Sequence, residues 1–201
     1  RFDELWPADL IMEAHDQTRG WFWSQLGMGT AALGDVPYDQ VLMHGWALDS
    51  DGRKMSKSIG NIVEPGEAIE RHGRDPMRLF LLSQTPQEDD MKFSWEEMAE
   101  MQRRLNILWN VFRFPLPYMR MDEFDPSTVD LSEAETELVD EWVLSRLQTV
   151  EETMTEHFED FEQDKALDEL LSFVVEDVSR FYVQVVRERM WEIGRASCRE
   201  R

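Results

Sequence analysis

Two short apolar runs, Leu10-Ile11-Met12 and Val41-Leu42-Met43, constrain the fold of this chain more than any other feature. Each is too short for a helix and each ends in a polar cluster, Glu13-Ala14-His15-Asp16-Gln17 after the first and His44-Gly45 after the second. Between them a helical pattern runs from about Thr18 to Leu33, with Trp21, Phe22, Leu26 and Met28 supplying its apolar faces, until Gly34-Asp35-Val36-Pro37 breaks it. The second strand is expected over Gln40 to Leu48, and a polar loop follows at once. Pro65 then starts a helix that Gly73 stops, and Asp75-Pro76 begins another through Arg78-Leu79-Phe80-Leu81-Leu82. Strand, helix, strand, loop, helix is an α/β unit of the doubly wound kind. Such units bind ligands at the carboxyl ends of their strands, which is where both polar clusters fall.

After Pro86 the pattern becomes all-α. Ser94 reads as the N-cap of a long helix with an acidic first turn, running to about Phe114 and closed by Pro115-Leu116-Pro117. Asp122 to Thr128 reads as a loop. Two further helices are expected, from about Ser132 to His157 and from about Glu162 to Glu192, the latter carrying Leu167, Leu170, Leu171, Val174, Val178 and Phe181 at i, i+3, i+4 spacing. The chain is therefore expected to divide near residue 93, with an α/β piece over 1–93 and an antiparallel helical bundle over 94–192. Trp109, Phe112 and Phe114 are expected in the bundle core.

The loop after the second strand is Asp51-Gly52-Arg53-Lys54-Met55-Ser56-Lys57-Ser58-Ile59-Gly60-Asn61. It suits a polyphosphate: glycines admit close backbone approach, serine hydroxyls and main-chain N–H groups donate hydrogen bonds, and ammonium groups neutralise charge developing on phosphate oxygens. The chain has only four lysines, Lys54, Lys57, Lys92 and Lys165, and two of them lie three residues apart in this loop.

That concentration matters because the 201 residues carry 42 Asp and Glu against 21 Lys and Arg, a net charge of -21. An acidic balance of this size ordinarily argues against nucleic acid as a partner. Abundant carboxylates with scarce lysine also resemble proteins adapted to concentrated salt, where screening permits a local basic contact with RNA. No apolar run approaches a membrane span, no signal peptide opens the chain, and Arg1-Phe2-Asp3 lacks an initiator Met, so a piece of a longer polypeptide is expected. Ile193-Gly194-Arg195-Ala196-Ser197-Cys198-Arg199-Glu200-Arg201 resembles a translated sequencing adapter and is expected to be an artefactual tail. It holds the only cysteine, Cys198, so no disulfide or cysteine-bound metal is expected and no protein-bound metal is assigned.

In order and spacing, Glu13-Ala14-His15-Asp16-Gln17-Thr18-Arg19-Gly20-Trp21-Phe22, His44-Gly45-Trp46 and the lysine loop resemble the class I aminoacyl-tRNA synthetases. The lysine loop alone indicates the class. Asp16 to Phe22 narrows the resemblance to its isoleucine branch, with the valine and methionine branches as alternatives. The resemblance covers residues 1 to 192 and implies the second half of a Rossmann-type catalytic domain followed by the start of an anticodon-binding helical bundle. A different reading, a non-catalytic helical RNA-binding module carried by residues 94–192, stands beside it.

What the resemblance implies is specific. The enzyme activates isoleucine with ATP, accompanied by Mg2+, to isoleucyl-adenylate and transfers the acyl group to tRNA(Ile). Lys57 would be the principal ATP contact, Lys54 would assist as the second catalytic lysine, and Ser56 and Ser58 would shape the loop. His44 and Gly45 would lie near the adenine or ribose, although a histidine at a strand end serves equally as a structural hydrogen-bonder. Glu13, Asp16 and Gln17 would hold the adenylate, Asp16 being also a natural N-cap, and Trp21 would wall the isoleucine pocket or pack in the core. The family commonly has glycine where this chain has Ala14. Arg180, Arg187 and Arg189 would contact tRNA, and they equally complement a helix C-terminus. No HIGH-type histidine motif and no editing domain occur in the chain, so the chain by itself is expected to be inactive. A cytoplasmic, monomeric full-length enzyme is implied.

Overall fold

A computed structural model describes residues 5–86, 88–130 and 136–190. The chain separates into two compact units. One comprises Arg1–Ala68 with Gln84–Trp95, the other Ile69–Ser83 with Glu96–Arg201.

In the first unit, β1 (Ala8–Ala14) and β2 (Tyr38–His44) pair in parallel, with Ile11 opposite Val41 and Ala14 opposite His44. Parallel strands need a crossover, and helix α1 (Trp21–Leu33) supplies it after a 3-10 turn at His15–Arg19. The apolar runs at 10–12 and 41–43 are both strands, as their length required. Burial is uneven: Ile11, Ala14 and Phe22 are buried, whereas Met12, Val41 and Met43 are more than two-fifths exposed.

The expected strand from Gln40 to Leu48 is broken in two. β2 stops at His44, and β3 (Ala47–Leu48) pairs in parallel with β4 (Met91–Lys92), a strand too short for sequence periodicity to reveal. The break lies at Gly45, whose backbone runs so close to Asp89 that an added Cβ would sit 2.1 Å from its carbonyl oxygen. Only glycine permits that approach.

The second unit is helical. Helix α2 (Pro65–His72) leads into it from the first unit. It contains α3 (Arg74–Ser83), α4 (Trp95–Arg113), α5 (Leu116–Met121), α6 (Leu138–Glu159) and α7 (Gln163–Ser172), the last continued by a π-helix over Phe173–Tyr182. Val150, Phe173 and Val174 form a buried cluster on which Ile107, Val143, Met154, Leu170 and Val178 pack. Phe80, Met98, Met101, Ala166 and Leu171 are also buried.

Three expectations require correction. Trp109 and Phe112 do not enter the core: they are 56% and 58% exposed and stack on each other at 5.7 Å between ring centroids. The buried stripe of α4 runs instead through Met98 and Met101. Phe181, placed on the apolar stripe of the last helix, is 48% exposed, because i→i+5 bonding over 173–182 rotates the later side chains off a 3.6-residue stripe. Pro115-Leu116-Pro117 closes α4 after Arg113 as expected, and its prolines also sit at the start of α5, where the missing N–H groups cost nothing. Finally, α6 begins at Leu138, with Glu137 as N-cap in a reciprocal capping box with Asp140. Thr136 and Glu137, expected inside this helix, precede it, whereas Ser132 itself, the expected end at Glu192 and the tail at 193–201 lie outside the described residues.

Candidate functional site

The site begins where β1 and β2 end side by side at Ala14 and His44. Directly after β1, the 3-10 turn carries His15, Asp16 and Gln17. The Gln17 amide oxygen accepts the Trp21 N–H at 2.8 Å, which secures the start of α1, and its amide nitrogen donates to Asp16 at 3.3 Å. The helix start is thus held by Gln17. Asp16, which also read as a cap, leaves its carboxylate exposed beside the strand ends, and Glu13 is exposed one residue before Ala14. Trp21 opens α1 and is 41% exposed, its ring tilted against the buried Phe22 at 6.0 Å. His44 directs Nδ1 to the Gly45 carbonyl at 2.9 Å.

The lysine loop has a built base that the sequence analysis missed. Asp49, 7% exposed, accepts hydrogen bonds from the backbone N–H groups of Asp51 (3.1 Å) and Arg53 (2.7 Å), from Arg53 Nε (3.2 Å) and from Asn61 Nδ2 (2.7 Å). Asn61 in turn accepts the Ser56 N–H at 2.9 Å and donates to the Lys54 carbonyl at 3.3 Å. Two residues twelve apart therefore clamp both ends of the loop. The Asn61 hydrogen bond, with that of the Arg53 backbone next, holds the Asp49 carboxyl below the usual carboxylate range. Aspartate ahead of an Asp-Gly turn is a recognisable turn signal, and Gly52 takes the positive φ of 78° that such a turn requires. The partnership with Asn61 has no local sequence signature.

Within the clamp, Ser56 and Ser58 hydroxyls lie 3.2 Å apart, and the Ile59 and Gly60 N–H groups donate to the Ser56 carbonyl at 3.3 and 3.1 Å. This turn leaves Lys57 exposed. Lys54 lies differently: its ammonium nitrogen sits 3.7 Å above the centre of the Trp46 ring. The Trp46 indole N–H donates to His15 Nε2 at 2.9 Å, with the two rings edge-to-face. Lys92 on β4 runs alongside Gly52, so three of the four lysines gather in this unit. The assembly can offer an anion two exposed lysines, one of them stacked on Trp46, with exposed carboxylates beside them at the strand ends.

In the helical unit, the three arginines differ. Arg187 is exposed, Arg180 pairs with Glu176 at 2.5 Å on the surface, and Arg189 is locked by Asp140 through two hydrogen bonds of 2.9 and 2.7 Å. Tyr182 donates to the same carboxylate at 2.8 Å. The Arg189 guanidinium, opposed in part by burial, holds the Asp140 carboxyl far below its ordinary value. Burial, then the Asp140 contact, pushes the Tyr182 hydroxyl up to about 12. Among the described residues no helix is long and apolar enough to cross a membrane, and no cluster of His, Cys, Asp and Glu could hold a metal ion.

Parallel strands ending at a clamped lysine loop, followed by a helical unit, define a class of protein that comparison identifies. A family model described as tRNA synthetases class I (I, L, M and V) matches residues 1–94, and one described as the anticodon-binding domain of tRNA ligase matches residues 140–199. A methionyl-tRNA synthetase of Mycobacterium tuberculosis in complex with methionyl-adenylate superposes with a TM-score of 0.76 at 24% identity, over 98% of this chain and 39% of that one. A LeuRS of Agrobacterium radiobacter in a ternary complex with tRNA and LeuAMS gives 0.69 at 19%, over 94% and 27%. The chain belongs to the class I aminoacyl-tRNA synthetases.

Within that class it is similar to isoleucine--tRNA ligases. That of Natronomonas pharaonis is 78% identical over 191 residues and that of Haloarcula marismortui 75% over 193, each across 95% of this chain. Both come from halophiles. The chain spans about 18% of the length of these relatives.

Proposed function

We propose that this chain forms the carboxyl-terminal half of the catalytic domain and the first part of the anticodon-binding bundle of an isoleucine–tRNA ligase, with the division near residue 93. The full-length enzyme would join isoleucine to ATP as isoleucyl-adenylate, releasing pyrophosphate, and then pass the acyl group to the terminal ribose of tRNA(Ile). The observation that carries this reading is the lysine loop clamped by Asp49 and Asn61 beside the carboxyl ends of two parallel strands.

In the first step a carboxylate oxygen of isoleucine attacks the α-phosphorus while the bond to pyrophosphate breaks. Negative charge grows on the leaving oxygens, so cations that meet it there stabilise the transition state more than the ground state. Lys57, exposed at the loop tip, is the principal contact, Lys54 assists, and Mg2+ enters with ATP as part of the substrate. Ser56 and Ser58 keep the turn that presents Lys57. Glu13 and Asp16 accept hydrogen bonds from ribose hydroxyls or the isoleucine ammonium, Gln17 holds the helix start beneath them, and Trp21 walls the side-chain pocket. His44 and Gly45 border the nucleoside. In the helical unit Arg187 and Arg180 meet tRNA phosphates, while Arg189 serves the fold through Asp140. The enzyme acts as a monomer in the cytoplasm.

The test is Lys57→Ala in the full-length enzyme. Isoleucine-dependent ATP–pyrophosphate exchange should fall about a hundredfold or more while isoleucine binding changes little. Equal losses in both would reject the role. Exchange driven by valine or methionine in place of isoleucine would reassign the branch.

A further inference from the structure

Trp46 is held at its backbone and at the edge of its ring. Its backbone N–H donates to Asp90 at 2.6 Å, its carbonyl accepts the Met91 N–H at 2.9 Å, and its indole N–H donates to His15 at 2.9 Å. One ring face carries the Lys54 ammonium at 3.7 Å. A ring tied at both backbone atoms and at its edge is a rigid platform. Lysine on its own is a flexible four-carbon stem with three rotatable donors.

We propose that Trp46 is a positioning residue for Lys54: its indole face holds the ammonium group beside the carboxyl ends of β1 and β2, and His15 fixes the angle of the ring. The proposal rests on the reading of this loop as the ATP-handling element. Its physical basis is attraction between a cation and the negative face of an indole, which narrows the space that Lys54 explores before substrate arrives. Lys54 and Lys57 are both exposed, and among the described residues only Lys54 of the two lies over an aromatic ring. The two lysines therefore divide the work, one held near the strand ends and one free to follow the departing phosphates. His15 belongs to the device because its Nε2 accepts the indole hydrogen bond. It joins the end of the first strand to the loop after the second, a link that neither segment reveals alone.

The test uses the full-length enzyme with Trp46→Leu, Trp46→Phe, Lys54→Ala and the double variant Trp46→Leu/Lys54→Ala. In isoleucine-dependent pyrophosphate exchange, Trp46→Leu should lower kcat about two- to fivefold with the KM for isoleucine unchanged. Trp46→Phe, which keeps an aromatic face, should retain most of the rate. The double variant should match Lys54→Ala alone, because a platform without its lysine has nothing to position. Losses that multiply in the double variant would overturn the proposal. A second measurement needs no activity: trypsin cleavage after Lys54, relative to cleavage after Lys57, should rise about two- to fivefold in Trp46→Leu. An unchanged ratio would overturn the proposal. If the wild-type enzyme shows no isoleucine-dependent exchange, the functional reading fails, and the cleavage ratio still decides whether Trp46 holds Lys54.

Discussion

Asp49 sets the geometry of the lysine loop. Its carboxylate gathers donors from Asp51, Arg53 and Asn61, so removing it frees both ends of the lysine loop at once. Misplacing catalytic groups by about an ångström costs on the order of a hundredfold. Asp49→Ala in the full-length enzyme should therefore lower pyrophosphate exchange by about ten- to a hundredfold with tRNA binding intact, and loss of tRNA binding to the same degree would refute the local account. The pH dependence has a definite sign. A carboxyl held below its unfolded value of about 3.9 stabilises the fold above that value, and this contribution disappears as pH falls through the lower folded value. Between pH 5 and 2 the wild type should accordingly lose melting temperature more steeply than Asp49→Asn, and parallel curves would contradict this. The Asp-Gly turn was readable from sequence. The tie to Asn61 was not, since a contact across twelve residues leaves no trace in local pattern.

Among the helices, legibility followed local chemistry. Pro65, Gly73 and Asp75-Pro76 marked α2 and α3 correctly because proline at a first turn and glycine after a last one act through their own backbone. The start of α6 was less legible: Glu137 is an uncommon cap, and it works here because Asp140 answers it. The π-helix at 173–182 was invisible in a pattern that reads only i, i+3 and i+4 spacing. Arg146 on α6 bridges to this stretch, donating to Glu169 on α7 at 2.7 Å and to Asp177 at 2.9 Å. Its partners are about a quarter exposed, so solvent discounts the pairs, and Arg146→Ala should cost about 1 kcal/mol, read as a lower denaturant midpoint. Toward the start of the same helix α6, Asp140 accepts the Tyr182 hydroxyl, which is raised to about 12. A raised group stabilises the fold fully below its unfolded value of about 10, and this is lost as pH climbs through the folded one. Between pH 10 and 12 wild type should lose stability that Tyr182→Phe does not, as followed by helical circular dichroism.

At the scale of the whole chain the governing fact is charge, a surplus of 21 negative charges in 201 residues. Such a surplus repels itself at every separation that solvent ions do not screen. At 0.15 M salt the Debye length is about 8 Å, and at 1 M about 3 Å, so most carboxylate pairs cease to act on one another in that interval. Salt also weakens the attractive contacts, among them Arg53 with Asp51, Arg103 with Glu100 and Arg180 with Glu176. These pairs are exposed, and exposed pairs contribute about 0 to 1 kcal/mol each, many of them nothing. The repulsive sum runs over far more partners than the attractive one, so screening it should win. The same screening would let phosphates approach Arg187 in an otherwise hostile field. The melting temperature of the chain should accordingly rise by several degrees as KCl is raised from 0.1 to 2 M, most steeply below 1 M where the Debye length shrinks fastest. A melting temperature that falls over this range would mean that specific ion pairs, and not net charge, dominate the electrostatics of this fold.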